Sequence, residues 1–91
     1  MLSFIKKKKT TLEKGSSYGV LTGDYVGEIF VYFSEDEDNF YFVSIPKMEL
    51  RKVDRAKFDI GIKHKILDFI NILPKDVYFS IEQHGKKQLK S

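Results

Sequence analysis

The stretch Val26-Gly27-Glu28-Ile29-Phe30-Val31-Tyr32-Phe33, followed by Ser34-Glu35-Asp36-Glu37-Asp38-Asn39 and then Phe40-Tyr41-Phe42-Val43-Ser44-Ile45, decides the fold. Both flanks are rich in β-branched and aromatic residues, which suit a pleated surface, and the middle is polar. The pattern predicts a β-hairpin with an acidic tip. Ile29, Val31 and Phe33 fall on one face of the first strand, and Phe30 and Tyr32 share the other with Glu28. Apolar residues on both faces predict burial on both, with a helix over one side and a curled sheet closing over the other. The alternative is an aromatic surface left open for stacking on bases.

Working outward, Tyr18–Leu21 reads as a short strand between Gly15-Ser16-Ser17 and Thr22-Gly23-Asp24. Pro46 interrupts the pairing, and Lys47–Val53 alternates well enough for a third, edge-like strand. Phe58, Ile62, Ile66, Phe69 or Ile70, and Leu73 then recur at three- and four-residue steps. This predicts one amphipathic helix, capped by Asp54 or Asp59 and ended by Pro74. Asp76–Glu82 fits either period: Val77, Phe79 and Ile81 alternate as in a strand, while Val77, Tyr78 and Ile81 suit a helix. The fold class expected is α+β, a small antiparallel curled sheet or barrel-like β-meander followed by a packed amphipathic helix. One domain is expected over residues 10–83, with a flexible basic arm at 1–9 and a disordered tail at 84–91.

The 91 residues include no cysteine, which removes disulfides and thiolate metal sites and favours a reducing, cytoplasmic setting. The apolar runs are too short to span a bilayer, and Met1–Ile5 followed by four lysines does not read as a secretory leader, so no membrane partner is expected. Lysine outnumbers arginine fourteen to two and Ala56 is the only alanine, a bias that suits an AT-rich, phage-like genome.

The net charge of +3 is unevenly laid out. Residues 15–45 carry six acids and no base, whereas residues 46–67 carry seven bases and three acids. This points to an acidic end and a basic face. Lys47, Arg51, Lys52, Arg55, Lys63 and Lys65 are the candidate phosphate-contacting cations, for nucleic acid or a nucleoprotein assembly. The competing expectation is a protein-interaction module, such as a small phage or mobile-element protein that captures a host protein. It would use Phe30, Tyr32 and the acidic tip Glu35, Asp36, Glu37 and Asp38. That tip lacks the glycine and distal glutamate of a calcium loop, so neither metal nor cofactor is expected. Catalysis has little support: no phosphate loop or nucleophile elbow occurs, and His64 and Asp68 read as a surface pair on one helix face.

Gly15, Tyr18, Val20, Gly23, Gly27 and Val31 are spaced in a way that resembles the KOW motif of small β-barrel modules in ribosomal proteins and elongation factors. The likeness covers residues 15–53, and Val26 stands where that family often carries a lysine. It implies a small barrel that contacts RNA, DNA or a nucleoprotein.

Overall fold

The computed structural model describes residues 11–90, so the expected basic arm lies outside the described residues. Five strands form one antiparallel, unclosed sheet: β1 (Ser16–Val20), β2 (Ile29–Glu35), β3 (Asn39–Ile45), β4 (Glu49–Asp54) and β5 (Leu67–Ile72). Their order across the sheet is β4-β3-β2-β1-β5, so β4 and β5 are its two edges. Helix α1 (Arg55–Lys63) joins β4 to β5, and α2 (Lys75–Lys90) follows β5.

The hairpin forms as expected, with Val31 opposite Val43 and Phe30 opposite Ser44. Its alternating pattern feeds two cores. Phe30, Tyr32, Phe40 and Phe42 join Tyr18, Val20, Phe58 and Leu67 on the face that α1 covers. Val31, Phe33 and Val43 join Ile81 on the opposite face, under α2. Thus Phe30 and Tyr32 are buried, each about 4% exposed, and offer no open stacking surface. The first core is almost wholly aromatic, and edge-to-face pairs such as Tyr18–Phe58 (5.2 Å) and Phe40–Phe58 (5.1 Å) hold its rings.

The single long helix expected over 58–73 is replaced by α1, a turn and β5. Asp54 starts α1 by accepting from the backbone N–H groups of Ala56 and Lys57. His64 caps its end, and Lys65 turns the chain at a left-handed φ of 60°. In the segment that follows, Leu67 and Phe69 are spaced as in a strand and Phe69 and Ile72 as in a helix, and tertiary pairing decides. Strand β1 has an unpaired edge, and Leu67–Ile72 fills it, with Val20 opposite Leu67 and Ser16 opposite Ile72. A bulge at Ser17/Tyr18 interrupts the ladder, and there the Ser17 hydroxyl donates to Asn71 Oδ1 at 2.6 Å.

The ambiguous segment 76–82 is helical, and the tail expected from 84 onward continues that helix to Lys90. Long-range contacts hold it there. Gly85 lies directly on Phe33 and Val43, where no side chain intervenes. His84 Nε2 sits 2.7 Å from Met48 O, and Gln88 donates to the same carbonyl at 2.9 Å.

Candidate interaction surface

The six predicted cations do not converge. Arg51 Nη2 lies 3.2 Å from Glu28 Oε1 and 2.9 Å from Glu49 Oε1, with its guanidinium stacked 4.4 Å from the Tyr25 ring centre. Lys47 Nζ is 3.3 Å from the other oxygen of Glu28. Arg55 Nη2 is 2.6 Å from Glu35 Oε2 and donates to Asp36 O, and its plane covers Phe40. These three therefore fasten the sheet to its own acidic segment. Lys52, Lys63 and Lys65 are exposed, but they are dispersed. Lys52 belongs to β4, whereas Lys63 and Lys65 immediately precede β5, at the opposite edge of the sheet.

The acidic tip is partly consumed in the same way. Asp36 Oδ1 accepts from the N–H groups of Asp38 and Asn39, and Oδ2 accepts from the Tyr41 hydroxyl at 2.6 Å. The Tyr41 bond, then those two backbone donors, hold the Asp36 carboxyl below the usual aspartate range. Glu35 accepts from the Tyr32 hydroxyl at 2.6 Å. Among the described residues no group of His, Cys, Asp and Glu side chains could hold a metal ion. His64 ends α1 while Asp68 lies in β5, so the pair expected on one helix face is split between two elements. An open cavity of about 270 Å³ lies beside α1, with Val20, Phe30, Val53 and Leu67 in its wall and Lys57 and Asp24 also lining it.

Glu28 organises the basic segment from within. The Ser44 hydroxyl donates to it at 2.5 Å, and Lys47 and Arg51 approach its two oxygens. The Ser44 bond first, and then the two cations, depress its carboxyl below the ordinary glutamate value against the opposing effect of burial. A depressed folded-state pKa contributes stability that is present above the unfolded glutamate value. That contribution is lost as pH falls through the lower folded value. Glu28→Gln is therefore expected to flatten the decline of the urea midpoint over that acidic window. An unchanged acid limb in the variant would show that Glu28 is not a source of it.

The two sheet edges differ in kind. Strand β4 carries Glu49, Arg51, Lys52 and Asp54, and Gln88 from α2 accepts from Leu50 N–H at 2.7 Å. Charges and a covering side chain are ordinary ways to blunt an edge. Strand β5, Leu67-Asp68-Phe69-Ile70-Asn71-Ile72, has one charge and only its first residue buried. Phe69, Ile70 and Ile72 are each about half exposed, at 51%, 50% and 46%. Phe69 touches Tyr18 edge-on, and Ile70 lies over Gly19. Helix α2 rests mainly on β2, β3 and β4. In the first turns of α2, Val77 and Phe79 are also exposed, at 47% and 60%, on opposite flanks of that helix. Sequence reasoning missed this surface because it assigned Phe69 and Ile70 to a buried helix face. The lack of a second partner for β1 was the signal that could have found it.

No helix among the described residues is long and apolar enough to cross a membrane. No family model, curated protein or solved structure matches this chain.

Proposed function

We propose that the chain is a non-enzymatic protein-interaction module that works by adding a strand to the open β5 edge. One observation carries this reading: β5, which among the described residues pairs only with β1, ends the sheet and bears half-exposed Phe69, Ile70 and Ile72. Main-chain hydrogen bonds supply affinity in strand addition, and flanking apolar side chains supply the area that water leaves. The alternative, contact with nucleic acid through a basic surface, has less support in the geometry. Lys47, Arg51 and Arg55 each face a carboxylate already, and a phosphate would have to displace it.

A photo-crosslinking residue placed at Phe69 or Ile72 of the full chain, in cells that produce it, tests the reading. Protein adducts are expected from both β5 positions at yields well above those from Glu37 on the hairpin tip. Equal yields at the three positions, or none, would overturn it.

A further inference from the structure

We propose that the cavity beside α1 binds a free aromatic amino acid as its zwitterion, a role separate from strand addition at β5. Its floor is core: Phe30 and Leu67 are buried, and both line this space of about 270 Å³. Two elements rim it. Lys57 and Gly61 lie four residues apart on one flank of α1, and Gly61 adds no side chain to fill the space. Asp24 and Tyr25 come from the loop that joins β1 to β2. That loop is fixed by its own backbone. Gly27 N–H donates to Val20 O at 2.9 Å, Glu28 N–H donates to Tyr25 O at 3.0 Å, and Gly23 turns the chain at a φ of 96°. The Arg51 guanidinium stacks on the Tyr25 ring, whose centre is 6.1 Å from that of Phe30. The walls therefore stand before any ligand arrives, which keeps the ordering cost of binding low.

Charge and size define the ligand. Arg51 is already neutralised by Glu28 and Glu49, so Lys57 and Asp24 set the charge at the rim. Among the described residues neither Lys57 nor Asp24 is in an ion pair, with the other or with any third group. An anion alone would satisfy Lys57 but meet Asp24 as a like charge, and a cation alone would do the reverse. A molecule that carries both charges satisfies both. A void of about 150 Å³ holds benzene, so this one has room for a ring and about half a dozen further atoms. The rings of Phe30 and Tyr25 favour an aromatic body over an aliphatic one. An aromatic α-amino acid meets all three demands, with its ring on Phe30 and Leu67, its carboxylate towards Lys57 Nζ and its ammonium towards Asp24.

Titration of the isotope-labelled full chain with L-phenylalanine, followed by the NMR signals of its amides, tests this. Saturable shifts are expected at Gly23, Tyr25, Gly61 and Leu67, with a Kd of about 0.1–1 mM for a ligand of roughly a dozen heavy atoms. Phenethylamine lacks the carboxylate and hydrocinnamate lacks the ammonium, and each is expected to bind about tenfold more weakly. Two variants assign the charges, both at exposed positions. Lys57→Met is expected to erase the difference between phenylalanine and phenethylamine while keeping that against hydrocinnamate, and Asp24→Asn to do the opposite. No saturable shift at these amides in the millimolar range would overturn the site. Equal binding of all three compounds, or a ranking that neither variant alters, would overturn the zwitterion and the proposal with it. Shifts confined to Phe69–Ile72 would place the ligand on the sheet edge and likewise overturn it.

Discussion

Phe42→Ala is expected to cost about 4 kcal/mol of folding stability, the middle of the range for emptying a buried aromatic site. Phe42 has no exposed surface and sits at the centre of the aromatic core. Its ring lies 5.7 Å from Phe30, 5.9 Å from Phe58 and about 6 Å from both Tyr18 and Tyr32. Those neighbours come from β1, β2 and α1, so they cannot all collapse into the hole without moving the sheet against the helix. A chain of this size has stability on the order of 5–10 kcal/mol, so the variant should lose about half of it. The check is the urea midpoint at constant m-value. Phe69→Ala supplies the contrast. That ring also touches Tyr18 but is half exposed, and about 1 kcal/mol is expected. Equal losses at positions 42 and 69 would mean that burial is not what separates the core from the β5 surface.

That contrast also marks where the sequence stopped being readable. The hairpin was legible because its period-two pattern is strong on both strands and its tip is polar, and local chemistry alone specifies such a unit. The two-sided burial of Phe30 and Val31 followed from the same pattern. Leu67–Ile72 was not legible, since its apolar spacing serves both periods. What settles it is the unpaired edge of β1, which lies about fifty residues away in the chain. The residues from His84 onward read as a polar tail because Gly85, which packs on Phe33 and Val43, has no side chain, and because two of the other residues bind backbone. His84 and Gln88 reach Met48 O, and Gln88 also takes the Leu50 N–H, bonds that leave no hydrophobic signature. The basic cluster failed for the converse reason. Proximity in sequence suggested a shared face, but alternation along β4 turns Arg51 and Lys52 to opposite sides of the sheet. Arg51 and Lys47 then find Glu28, an acid from a distant and oppositely charged segment.

Gly85→Ala sets two effects against each other, and packing is expected to win. Alanine in a helix interior gains about 1 kcal/mol over glycine in intrinsic propensity. In this position, however, a Cβ would stand 2.7 Å from two atoms of the Phe33 ring and 2.8 Å from Val43 Cγ2. Both residues are fully buried and belong to the sheet, so neither has room to rotate away. Overpacking of this kind costs about 3 kcal/mol, which leaves a net loss of about 2 kcal/mol. The helix relieves the clash by lifting from β2 and β3, and the lift carries Gln88 away from Leu50. The substitution should therefore do more than lower the urea midpoint. It should speed amide exchange at Leu50 and strip the covering side chain from β4. A stabilised Gly85→Ala would show that α2 does not pack this closely and that its glycine serves no steric purpose. A destabilised variant with unchanged Leu50 exchange would place the damage in the core alone.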